Sequence, residues 1–220
     1  MKRYPCTAPI LTVAAAFGLL GGPARAGLEE GVAAYEAGNL QLAAREFRTA
    51  AEKGDADCQY NLALMHEHGI GLAKDEKQAL DWYRKSAAQG NANAQFNLGV
   101  LYENGRGTAV DFPQAIQWYR KAAAQGDALA IGNLGMLYLR GDGVKVDKVA
   151  GLALLMRSAA LDPSPANHAK QNIAKTRGLT AEMITAAQAL VSEFAKSENL
   201  LVPLDQYFEN AATMAEDGAK

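Results

Sequence analysis

Few residues in this 220-residue chain have the types and spacing that chemistry demands, and His66-Glu67-His68 is the first to test. Imidazole and carboxylate both bind zinc, but residues two apart on a helix point about 200° apart, so one ion cannot take both histidines without unwinding the helix. Cys58 could supply a thiolate, yet it falls at the position held by Ala94 and Ala130, small residues that face a helix partner. Apolar burial there raises a thiol's pKa and leaves it inert. The pairs Gly69/Gly71, Gly105/Gly107 and Gly141/Gly143 have the spacing of a phosphate cradle, but no strand precedes them and no Lys-Ser/Thr follows. Metalloprotease H-E-x-x-H, redox C-x-x-C and hydrolase G-x-S-x-G segments are all missing from the sequence. The chain reads as a protein without catalytic residues, cofactor or metal.

What positions these residues is a repeat of 36 residues. Asp55–Gly90 and Asn91–Gly126 align without gaps and agree at 19 of 36 positions, and Asp127–Asp162 continues the register with 13 matches to the second unit. Each unit opens on an apolar pattern such as Ala94, Leu98, Leu101 and Tyr102, whose three- and four-residue spacings form one helical face. The G-x-G then closes that helix, because glycine adopts the left-handed conformation that ends one. Asp75, Asp111 and Asp147 are the expected N-caps of a second helix, with Pro113 just inside its start. Small residues at Ala63/Gly99/Gly135 and Ala79/Ala115/Gly151 let the two helices approach closely. A lone hairpin of this kind cannot bury both faces, so neighbours must stack.

The pattern A-x-x-x-L-G-x-x-Y-x-x-G-x-G followed by D-x-x-x-A-x-x-W-Y-x-x-A-A-x-x-G, read from Ala94 to Gly126, resembles the Sel-one-like repeat, a relative of the tetratricopeptide repeat. That resemblance implies an all-α fold, a right-handed α-solenoid of antiparallel helix pairs, and protein–protein adaptor work, in exported bacterial members within envelope signalling, surface-polymer assembly or host contact. Two departures stand out: His66 replaces the tyrosine of Tyr102 and Tyr138, and Leu154 replaces Trp82 and Trp118. Some cysteine-rich relatives are described as β-lactamase-like hydrolases, but their paired cysteines and an S-x-x-K are missing here.

The flanks complete the organisation. Lys2 and Arg3, the apolar run from Ile10 to Leu20 and Ala24-Arg25-Ala26 compose an export signal over 1–26, giving a periplasmic or secreted protein. The rival, an uncleaved anchor, has about half of the roughly 20 apolar residues a span requires. Cys6 precedes the apolar run, away from any cleavage site, which gives no lipid attachment. Cleavage would take the net charge from −2 to −5 and leave Cys58 as the one cysteine, so no internal disulfide forms. With 24 acidic against 22 basic residues and no basic cluster interleaved with aromatics, nucleic acid is a poor partner. Residues 27–54 read as a degenerate first repeat, with Tyr35, Gly38, Ala43, Phe47 and Gly54 in register. Units 55–90, 91–126 and 127–162 follow. Beyond them, 163–198 reads as a capping pair (Ala166–Lys175 and Ala181–Ser197, the latter capped by Thr180). The tail, 199–220, carries a short helix over Leu200–Met214, with Ala215–Lys220 expected to lack structure.

In the tetratricopeptide register each first helix directs a set of side chains to the concave side. These are Tyr60, Leu64, Glu67 and His68, then Phe96, Val100, Glu103 and Asn104, then Met136, Leu139 and Arg140. So apolar a stripe fits a protein or peptide partner, with Glu67 and Glu103 favouring a basic or amide-rich segment. Two alternatives to a partner stand beside that reading: the chain's own Leu200–Phe208 segment, or the curvature of the stack, covers the stripe. A structural homo-oligomer built through the open end of the stack or the tail is a further alternative, and oligomeric state is open.

Overall fold

The computed structural model describes residues 23–217, and among them the only regular secondary structure is eleven helices. Of the expected export signal, 1–22 lies outside the described residues, and Pro23 onward opens the first helix. The chain divides into two compact units, residues 1–109 and 110–220.

The first unit holds α1 (Pro23–Glu36), α2 (Leu40–Glu52), α3 (Ala56–His68), α4 (Glu76–Ala88) and α5 (Ala92–Asn104). Each packs against the next, and α1 also touches α3, which gives a piece of α-solenoid built of helix pairs. Phe47, Leu62, Met65, Tyr83, Leu98 and Leu101 are its largest fully buried side chains. Caps recur in register: Asp55, Asp75 and Asn91 each accept backbone amides of the following first turn. Between repeats, Gln59 Nε2 donates to the Ala51 carbonyl and Gln95 Nε2 to the Ala87 carbonyl, at 3.0 and 3.2 Å.

The second unit holds α6 (Phe112–Ala124), α7 (Ala128–Arg140), α8 (Lys148–Leu161), α9 (Ala169–Lys175), α10 (Ala181–Lys196) and α11 (Leu201–Asp217). Helices α7 and α8 cross closely because Gly135 and Gly151 face each other: a Cβ on Gly135 would sit 2.9 Å from the Gly151 carbonyl oxygen. Both α9 and α10 pack on α8, and α11 packs on α10 and α6. Two boundaries differ by three residues from the sequence expectation, and the end of α10 and the start of α11 by one. Helix α9 starts at Ala169 rather than Ala166, because Asn167 is spent on the turn: its Nδ2 donates to the Ser158 and Asp162 carbonyls and its Oδ1 accepts from the Ala169 amide. Helix α11 runs to Asp217 rather than stopping at Met214, with no Gly or Pro after Pro203 to end it sooner. Residues 218–220 lie outside the described residues.

The two glycines of each G-x-G do different things. Gly69, Gly105 and Gly141 close the first helices at φ 71°, 65° and 78°. The second glycine is a contact point: a Cβ on Gly71 would overlap the carbonyl of Leu40, one on Gly107 that of Glu76, and one on Gly143 the side chain of Phe112. Leu40, Glu76 and Phe112 are the first residues of second helices one repeat back. The motif is therefore a helix stop joined to a repeat-stacking contact.

Candidate binding surface

The first-helix stripe expected to line a groove divides by depth. In the first unit Tyr60 and Leu64 are each 3% exposed and Glu67 is 5% exposed, which removes them from any surface a partner could meet. Tyr60 is spent on the core, its ring tilted against Tyr83 with centroids 5.9 Å apart. Phe96, Val100 and Glu103 are half-buried, and His68 and Asn104 are exposed. In the second unit Met136 and Leu139 are half-buried and Arg140 is exposed, paired with Asp142.

Glu67, which the sequence assigns to a partner's basic group, is the centre of an internal network instead. The Tyr83 hydroxyl donates to its Oε2 at 2.6 Å, and Arg106 Nη1 donates to its Oε1 at 2.7 Å. Asn97 Nδ2 donates to the Tyr83 oxygen at 3.1 Å, and Arg106 also reaches Glu76 Oε1 at 3.2 Å. One carboxylate on α3 thus ties together α4, α5 and the loop after α5. The Tyr83 hydroxyl is held well above its ordinary pKa, first by burial and then by the Glu67 charge, so it stays a donor. Sequence reasoning missed Arg106, which sits between Gly105 and Gly107 where Ile70 and Asp142 stand in the other units. It also missed Asn97, although Asn61, Asn97 and Asn133 recur at one position of an apolar face, the signal of a recurring polar partner. In the second unit that partner is Tyr119, whose hydroxyl takes Asn133 Nδ2 at 3.0 Å.

Cys58 is fully buried, and burial followed by the nearby Asp55 charge pushes its thiol far above the ordinary range. His66 and His68 have separate environments: His68 is exposed, and His66 is half-buried between Arg48 and Asp75. Burial, followed by the Arg48 charge, lowers the His66 pKa, and Asp75 opposes that.

In the second unit a further polar surface is occupied by the chain itself. Arg120 Nη2 on α6 donates to both carboxylate oxygens of Asp205 on α11, at 2.7 and 2.6 Å. The Phe208 ring stacks on Tyr138 of α7, centroids 5.1 Å apart. The Tyr207 hydroxyl donates to Asp147, the N-cap of α8, at 3.2 and 3.1 Å from its two oxygens. The segment around Leu200–Phe208 therefore covers Arg120, Tyr138 and Asp147, none of which belongs to the predicted stripe.

The Sel1 repeat profile matches residues 56–91, 92–127 and 128–163. A crystal structure of a Sel1 repeat protein from Oxalobacter formigenes is 30% identical and superposes with a TM-score of 0.60, covering 74% of this chain and 77% of that one. The c5321 protein, a protective antigen of uropathogenic Escherichia coli displaying an SLR fold, is 28% identical with a TM-score of 0.53. The alignment takes in 86% of this chain and 48% of the antigen, so the chain spans about half of that protein's length. No curated protein matches the chain significantly.

Proposed function

The chain belongs to the Sel1 repeat family, and on that premise we propose that it is a non-catalytic protein–protein interaction scaffold, an exported envelope adaptor or regulator that holds a partner on its first-helix faces. The observation that carries this reading is where the repeats place their functional groups. Glu67, Tyr83, Asn97 and Arg106 bond one another inside the first unit, and Cys58 is sealed in its core, so the groups best suited to chemistry are used for packing. What the first helices leave nearer to solvent is a mixture of apolar and amide or charged side chains: Phe96, Val100 and Asn104 in the first unit, Met136, Leu139 and Arg140 in the second. Side chains of that mixture suit an adaptable protein partner. The location in the periplasm rests on the N-terminal Lys-Arg, apolar run and Ala-Arg-Ala of residues 1–26.

Crosslinking in the native compartment followed by identification of the captured protein tests the reading. Capture is expected to fall when Phe96→Ala is combined with Val100→Asp while helicity is kept. Undiminished capture by that variant rules these faces out.

A further inference from the structure

The surface that α11 covers in the second unit has a counterpart in the first. Arg48, His66 and Asp75 stand 72 residues before Arg120, Tyr138 and Asp147, two repeats back. The backbone holds both sets alike: the Asp75 amide donates to the His66 carbonyl at 2.8 Å, and the Asp147 amide to the Tyr138 carbonyl at 3.0 Å. In the second unit each member has a counterpart on one helix, with Asp205 on Arg120, Tyr207 on Asp147 and Phe208 on Tyr138.

In the first unit Arg48 and Asp75 are exposed and His66 is half-buried. Arg48 is exposed and makes no ion pair with any described residue. His66 is half-buried and more exposed than the stacked Tyr138, and its Nδ1 is buried with no hydrogen-bond partner among the described residues. Asp75 is exposed and spends Oδ1 on the amides of Lys77 and Gln78, which leaves Oδ2 to accept another donor. The chain's own Asp205, Tyr207 and Phe208 are engaged in the second unit and do not supply these contacts.

We propose that Arg48, His66 and Asp75 form a docking site for a helix of a partner protein that carries an aspartate followed, two and three residues on, by a tyrosine and a phenylalanine. The order is that of Asp205-Gln206-Tyr207-Phe208, so α11 is the internal example of the ligand. The aspartate pairs with Arg48 as a charge-assisted fork, the tyrosine hydroxyl donates to Asp75, and the phenylalanine stacks on the imidazole. An aspartate and an aromatic three residues apart lie on one side of a helix, so a single helix face delivers both. The site goes beyond the groove reading: none of its three residues belongs to the first-helix stripe.

The test is a titration of the full chain with a fluorescent peptide of the sequence Asn199–Thr213. Saturable binding is expected, weakened about tenfold or more by Arg48→Glu and equally by Asp205→Lys in the peptide, because each sets like charges against one another. Combining the two reversals restores binding. Arg48→Glu changes an exposed side chain without an ion-pair partner among the described residues, and an unaltered thermal melt confirms that the fold is kept; Arg48→Gln serves where it is not. Absence of saturable binding overturns the proposal. So does binding that ignores Arg48→Glu and is lost instead on Arg120→Glu, which would mean that the peptide displaces α11. Concentration-dependent self-association abolished by Arg48→Glu would assign the site to a second copy and overturn the choice of a partner protein.

Discussion

The Tyr83 hydroxyl donates to Glu67 Oε2 at 2.6 Å, in the fully buried interior between α3 and α4. The Tyr83 hydroxyl oxygen in turn accepts from Asn97 Nδ2 on α5, so one phenol joins two consecutive repeats. Tyr83→Phe keeps the ring and removes only that joint. It leaves Glu67 with one partner fewer and strips the Asn97 amide of the acceptor it uses. A destabilisation of about 1–3 kcal/mol is expected, the range for stranding buried polar groups. Urea unfolding followed by circular dichroism measures it; a midpoint unchanged from wild type would show that the network contributes nothing.

The opposite experiment lies one repeat earlier. Tyr83 precedes Asn97 by 14 residues and Tyr119 precedes Asn133 by 14, and at the same spacing before Asn61 stands Phe47. Asn61 is fully buried, and both polar atoms of its side chain lack a hydrogen-bond partner among the described residues. The Phe47 ring rests against Gly31 of α1. Phe47→Tyr supplies the missing hydroxyl and is expected to raise stability by about 1 kcal/mol. In an Asn61→Leu background the gain should vanish, so the double-mutant cycle isolates the new bond. A gain of equal size in both backgrounds would trace it to something other than Asn61.

These two sites also show what a sequence exposes. The helix pairs, the caps at Asp75, Asp111, Asp147 and Thr180 and the closing glycines were legible because each position restricts residue type locally, through a side-chain acceptor or a positive φ. Depth was not. The register assigns Tyr60, Leu64 and Glu67 to a face, but whether a face meets solvent depends on what the following repeat sends across it. Glu67 is covered through Arg106, 39 residues downstream, from the middle of a motif whose local reading is a helix stop. The docking of α11 was similarly hidden, since the pairing of Arg120 with Asp205 spans 85 residues and follows no period.

His66 gives the chain a pH dependence that the tyrosines at its position do not share. Burial and Arg48 hold its folded pKa below the ordinary 6.5, and Asp75 offsets part of that. A base with a depressed folded pKa leaves stability intact above the unfolded value and erodes it as pH falls from 6.5 through the folded value, because the unfolded chain takes up the proton first. His66→Tyr restores the residue of Tyr102, whose hydroxyl accepts from Arg84 Nε and Nη2 at 3.1 and 2.9 Å. Unfolding midpoints of both proteins from pH 8 to 5 should separate increasingly in favour of the tyrosine variant below pH 6.5. Parallel curves through that range would show that His66 does not titrate against the fold.

Glycines at positive φ should differ in their tolerance of a methyl group, according to what surrounds them. Gly90 has φ 95° with open space where a Cβ would stand, whereas Gly107 has φ 69° and faces the Glu76 carbonyl. Gly90→Ala therefore meets only the left-handed penalty, about 1–2 kcal/mol. Gly107→Ala adds an overlap with backbone at the first residue of α4, which no rotamer change relieves, and overpacking of this kind adds about 1–3 kcal/mol. The overlap also acts between repeats rather than within one, so Gly107→Ala should loosen the start of α4 and raise amide exchange at Glu76–Gln78, while Gly90→Ala leaves those amides protected. Chemical unfolding ranks the two variants and hydrogen exchange locates the damage. Equal losses of stability would reduce the second glycine of the G-x-G to a turn residue and remove it as a stacking contact.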